Sequence, residues 1–128
     1  MDAATRTFVR ERAGNICEYC LLPQEATPFT TFHAEHVIAK QHRGTDDLSN
    51  LALACHHCNA HKGPNLTGID QDKAQNVPLF HPRSDTWAEH FGRVGFLIVG
   101  LTPTGRATVN VFAMNEPDWV ELRADFEE

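Results

Sequence analysis

Apolar and polar positions follow several different periods along this 128-residue chain, and each period predicts an element. Phe8, Val9 and Arg12 lie at helical spacing within Thr5 to Ala13, with Gly14 placed as a stop, so a helix is expected there. From Phe29 to Ile38 the alternation and β-branched content predict a strand. Gly44-Thr45-Asp46-Asp47 predicts a loop, and Asn50 to Ala54 the returning strand of a long-tipped hairpin. His56 to Lys62 reads as a short helix closed by Gly63-Pro64. The local order is therefore strand, strand, helix.

Residues 63–83 are rich in Pro, Gly, Asn and Asp and predict an irregular connection, interrupted by Leu79 and Phe80. Ser84 is placed to cap a helix reaching Phe91, with Trp87 and Phe91 four apart on one face. Val94 to Leu101 and Arg106 to Ala113 read as a hairpin joined by Thr102-Pro103-Thr104-Gly105. Asn115 is placed to cap a last helix, with Pro117 near its first turn and acids near its start. Neither an internal repeat nor a low-complexity tract is present.

Composition narrows the class. Hydrophobic residues make up 41% and charged residues 22%, which fits a folded domain and argues against a wholly disordered or fibrous chain. The length predicts a single domain over 1–128. The chain has no run of eighteen apolar residues and no apolar secretory leader, so the expectation is a cytoplasmic protein without membrane contact. The net charge of -6 argues against coating nucleic acid by bulk electrostatics. Its distribution weakens that argument: residues 115–128 carry six acids and one base, which leaves only -1 on the other 114.

The four cysteines fall as two pairs, Cys17-Glu18-Tyr19-Cys20 and Cys55-His56-His57-Cys58. Two pairs of this spacing can place four sulfurs around one zinc ion, and a closed four-sulfur site stabilises a fold without doing chemistry. The alternatives are a site in which His56 or His57 replaces one thiolate, a redox pair, and disulfides. The 34 residues between the pairs exceed the usual gap of a compact zinc ribbon, so the loop must hold something else.

That loop holds Phe32-His33-Ala34-Glu35-His36-Val37-Ile38. Further on comes Asn50, and the second pair continues as Cys55-His56-His57-Cys58-Asn59-Ala60-His61-Lys62-Gly63. An acid beside a histidine on the first strand, an asparagine at the second, and Cys-x-x-Cys-Asn-x-x-Lys-Gly on the helix resemble the HNH endonuclease family, whose core is a zinc-braced ββα-metal finger. The resemblance covers roughly Cys17 to Gly63. It implies His36 as general base, Glu35 and Asn59 as ligands of a catalytic Mg²⁺ or Mn²⁺, Asn50 as the residue orienting His36, and products with 5′ phosphate and 3′ hydroxyl. The chain carries Glu35 where many members have aspartate, and Asn59 where some have histidine.

The residues support the same chemistry without the family name. Phosphodiester hydrolysis needs a base for the attacking water and a cation against the charge that builds on the phosphoryl group. His36 has the side chain whose unperturbed pKa lies nearest neutrality. Glu35 and Asn59 are hard oxygen donors, and Asn50 can hold an imidazole in orientation. Adjacent residues of a regular strand face opposite sides, so Glu35 and His36 can serve one site only if the strand bends or ends there. Blander roles remain for each: a satisfied hairpin histidine, a surface carboxylate, a helix cap at Asn59, a turn residue at Asn50.

Around this set, His33, Arg43, Lys62 and Arg83 are candidate substrate contacts. The alternatives are a complement to the helix dipole at Lys62 and a simple exposed histidine at His33. His57 and His61 are four apart, but the cysteines and Asn59 already account for the local metals. The expectation is an α+β protein, a ββα-metal finger (motif 17–63) with one structural zinc plus a C-terminal extension (64–128) containing a β-hairpin and helices. Its expected function is metal-dependent hydrolysis of DNA, with weak and salt-sensitive binding, as a monomer or homodimer. The competing expectation is a non-catalytic zinc-finger module that binds nucleic acid or protein.

Overall fold

Asp2 starts the first helix by accepting the Thr5 backbone N–H at 2.8 Å, and α1 (Ala3–Arg12) follows with Arg10 and Arg12 at the negative end of its dipole. Arg12 also donates to the carbonyls of Leu48 and Leu51 at 2.9 and 2.6 Å. This ties α1 to the start of the second strand. The structure, a computed structural model, describes residues 1–127. By their internal contacts these divide into two units, Met1–Pro64 and Asn65–Glu128.

In the first unit, β1 (His33–His36) pairs antiparallel with β2 (Leu51–Ala54), and α2 (His56–Lys62) packs on both. Every residue of β2 is buried, which explains its unbroken apolar run. The first strand is shorter than its composition predicts. Gln24 accepts the Phe32 N–H (2.8 Å) and donates to the carbonyls of Thr27 (3.2 Å) and Thr30 (2.6 Å), so residues 27–32 wrap around its side chain. At the other end the strand stops at His36, where the sequence expects it to bend or end. Short 3-10 turns at Lys40–His42 and Leu48–Asn50 bracket the hairpin tip.

The second unit departs further from the sequence expectation. Residues 63–83 are not irregular throughout: β3 (Thr67–Asp70) and β4 (Gln75–Pro78) form a hairpin closed by the Asp70 carboxylate accepting the Asp72 N–H. Abundant turn residues masked this short alternation. The expected helix at 84–91 shrinks to α3 (Trp87–His90), because Phe91 enters β5 (Phe91–Val94), which pairs with β6 (Leu97–Gly100).

Thr102-Pro103-Thr104-Gly105 is not a hairpin turn. Thr102 caps a helix, accepting the Gly105 N–H at 3.0 Å, and Pro103 begins α4 (Pro103–Val111). The Thr and Val content of 104–111 favours strand, but burial of Ala107, Thr108 and Phe112 overrides it. Gly105 lets α4 approach: a Cβ there would lie 2.0 Å from the His90 carbonyl oxygen. The last helix is α5 (Pro117–Glu127), and Asn115 does not cap it. Its amide instead bonds both the N–H (2.9 Å) and C=O (2.7 Å) of Ile98. With five α-helices and small sheets among the described residues, the fold is α+β, as the sequence predicts.

Candidate functional site

All four cysteines are buried, and their sulfurs lie within 4.8 Å of one another. A tetrahedral zinc with Zn–S bonds of about 2.3 Å requires sulfurs about 3.8 Å apart. Cys20 and Cys55 stand at 3.8 Å. The donor set therefore suits zinc. Neither His56 nor His57 belongs to the cluster. Thiol hydrogen bonds from its three neighbours push Cys20 well down, while the same crowding pushes Cys55 and Cys58 up. A bound divalent cation favours the thiolate form of such ligands. Cys55 also caps α2, its sulfur accepting the Cys58 N–H.

The two residues between the first cysteines brace the finger. The Glu18 carboxylate accepts the Leu53 N–H, and the Glu18 N–H donates to the Leu53 carbonyl, both at 2.8 Å. Tyr19, wholly buried, donates its hydroxyl to Glu35 Oε1 at 2.5 Å. The other carboxylate oxygen of Glu35 faces Lys62 Nζ at 3.5 Å. Burial raises the Glu35 pKa, and the Lys62 charge and the Tyr19 bond oppose that rise.

Lys62, a candidate substrate contact or complement to the helix dipole, is 2% exposed and turned inward, where it also reaches the carbonyls of His36 (3.3 Å) and Gly63 (3.4 Å). It holds the end of β1 from below.

His36 is partly exposed, and its Nε2 lies 2.6 Å from Asp46 Oδ1. That bond is the main reason the Asp46 carboxyl sits below the ordinary carboxylate range. Asp46 also has Lys40 Nζ at 3.7 Å and the Met1 ammonium at 3.5 Å. His36 Nδ1 has no protein partner among the described residues and is not a buried orphan.

Asn50 does not bond the His36 ring. It accepts the Ile38 N–H (2.9 Å) and donates to the carbonyls of Ile38 (3.0 Å) and Thr45 (2.9 Å), pinning both ends of the loop that carries Asp46. Gly44 crosses this loop so closely that a Cβ would fall 1.6 Å from the Ile38 carbonyl oxygen.

Asn59 lies inside α2, not at its cap, and its side-chain amide has no hydrogen bond among the described residues. His33 is exposed, with its ring 5.9 Å from that of His56. His61 Nδ1 bonds the His57 carbonyl at 2.8 Å, so that nitrogen is spent on the helix. Arg43 is exposed in a left-handed conformation (φ 70°), and Arg83 belongs to the second unit.

Sequence reasoning missed Asp46 and Tyr19. Asp46 is one of two adjacent loop acids with nothing to separate them, whereas Tyr19 did carry a signal as the one tyrosine, set inside a cysteine pair.

Compared with known proteins, residues 17–65 match the family model described as HNH endonuclease. Over that stretch the chain is similar to nucleases of this family, in agreement with the resemblance carried by its motifs. No curated protein and no solved structure gives a significant match. Among the described residues no helix is long and apolar enough to cross a membrane.

Proposed function

We propose that this protein is a divalent-metal-dependent endonuclease that hydrolyses phosphodiester bonds in DNA, with His36 as general base. The observation that carries this reading lies within the HNH-matching stretch. A histidine at the end of β1 has one ring nitrogen engaged by a carboxylate and the other without a protein partner. A neutral imidazole whose Nε2–H donates to Asp46 keeps its lone pair on Nδ1. Nδ1 then takes the proton of the attacking water.

The donor set suits a hard cation. Glu35 retains lone pairs beyond those used by Tyr19 and Lys62, and the Asn59 oxygen is uncommitted. Glu35 and Asn59 are the residues that would hold Mg²⁺ or Mn²⁺. When bound, that ion supplies positive charge against the phosphoryl group and the departing 3′ oxygen. The cysteine cluster carries zinc as a structural brace.

Residues 1–64 hold six Lys/Arg, seven Asp/Glu and six His, so the finger carries no excess of basic residues. DNA binding is accordingly weak and falls as salt rises. The test is plasmid nicking with Mg²⁺ or Mn²⁺, with an EDTA control and His36→Ala. Nicking by the wild type and a loss of about 100-fold or more in the variant are expected. Equal nicking by both sinks the assignment of His36.

A second reading has one observation in its favour: protein groups already engage both oxygens of Glu35. It makes the finger a non-catalytic nucleic-acid- or protein-binding module, and it expects no nicking by either protein.

A further inference from the structure

A general base works only if its lone pair points at the water, and a ring free to turn about χ2 can present either nitrogen. His36 is partly exposed, so packing alone does not hold it. Asn50, the residue that the family pattern offers for the task, spends its amide on the Ile38 and Thr45 backbone. The side chain that does touch the ring is Asp46, through Oδ1 at 2.6 Å from Nε2. A carboxylate accepts and cannot donate, so this contact requires Nε2 to carry the proton.

We propose that Asp46 is a positioning residue for hydrolysis, fixing the His36 ring and its tautomer so that Nδ1 faces the water. This inference rests on the reading of His36 as base. Asp46 sits on a loop built to hold it. Asn50 ties both Ile38 and Thr45, the Gly44 N–H bonds the Ala39 carbonyl at 3.0 Å, and the lack of a side chain at Gly44 allows the chain to cross Ile38. The neighbouring Asp47 precedes the Leu48–Asn50 turn, and its N–H bonds the Thr45 hydroxyl at 3.3 Å. Two adjacent acids that look alike in the sequence therefore differ in role. The carboxylate that holds the base comes from the hairpin tip, ten residues after His36.

The experiment compares Asp46→Ala, Asp46→Asn and Asp46→Glu with wild type, His36→Ala and the loop control Asp47→Ala. Zinc content and circular dichroism are matched first. In steady-state nicking with Mg²⁺, Asp46→Ala and Asp46→Asn are expected to lower kcat by about 10- to 100-fold while KM stays within about twofold, with partial recovery in Asp46→Glu. Asp47→Ala is expected to behave as wild type.

A readout independent of turnover comes from the zinc-bound protein without Mg²⁺. In NMR spectra the wild-type His36 Nε2 proton should be visible and slow to exchange with water, and it should be lost in Asp46→Ala.

If Asp46→Ala keeps wild-type kcat and the Nε2 proton signal while His36→Ala is inactive, the Asp46 assignment is wrong and the base assignment stands. If kcat rises in Asp46→Ala, Asp46 blocks the base instead of positioning it, and the proposal is overturned. If His36→Ala nicks as well as wild type, the underlying reading fails and takes the Asp46 role with it.

Discussion

Tyr19 is the one tyrosine of the chain, and its hydroxyl is spent on a buried carboxylate. Replacing it with Phe keeps the ring's packing but removes the donor from Glu35 Oε1. A buried acceptor stripped of its partner costs about 1–3 kcal/mol. Tyr19→Phe is therefore expected to lower unfolding stability by about that amount while zinc content stays unchanged. Urea titration with metal analysis checks this, and an unchanged midpoint would mean that the bond contributes nothing.

The same residue scale accounts for the limits of sequence reading. That Glu35 and His36 adjoin was visible. That Glu35 turns in toward Tyr19 and Lys62 while His36 pairs with Asp46 was not, because those partners lie 16, 27 and 10 positions away.

At the scale of elements, the finger was legible because its signals are local: the His56–Lys62 helix falls where its pattern and Gly63 place it, and Leu51–Ala54 is apolar enough to be a buried strand. The C-terminal half was less so. Thr102-Pro103-Thr104-Gly105 suits a turn and a helix start equally well, and only the contacts of α4 with the two flanking hairpins choose between them. Residues 67–78 hide a hairpin because strands of four residues give periodicity little to register.

The loop after β1 makes an element-scale prediction. Gly44→Ala drives a Cβ into the Ile38 carbonyl, so the loop must move. The expected cost is about 2 kcal/mol, together with loss of the His36–Asp46 contact. Denaturant unfolding reads the first effect and the His36 Nε2 proton signal the second. Wild-type behaviour in both would show that the loop adjusts freely.

For the molecule as a whole, a zinc ion at the four-cysteine cluster is expected to be the largest single contribution to the finger. Structural zinc contributes roughly 10–16 kcal/mol in isolated zinc fingers at neutral pH, against a usual domain stability of about 5–15 kcal/mol. Stripping the metal should therefore unfold residues 1–64, not merely loosen them. Hydrogen exchange provides the check. The amides of Cys17, Glu18 and Leu53, bonded in the structure to Leu22, Leu53 and Glu18, are expected to be protected with zinc and to exchange freely after chelation. Persistent protection in protein shown to be zinc-free would refute this. Cys17→Ala should behave like the chelated protein.

The sequence by itself determined the four-cysteine cluster, the ββα order and the identity of the acid, histidine and asparagine it carries, because each depends on spacing along a short stretch of chain. Which carboxylate faces His36, which amide is left uncommitted and which lysine is turned inward were decided by tertiary structure. A hydrogen bond joins groups by distance in space, and the loops and β1–β2 pairing that bring Asp46, Asn50 and Lys62 to the end of β1 exist only once the chain has folded.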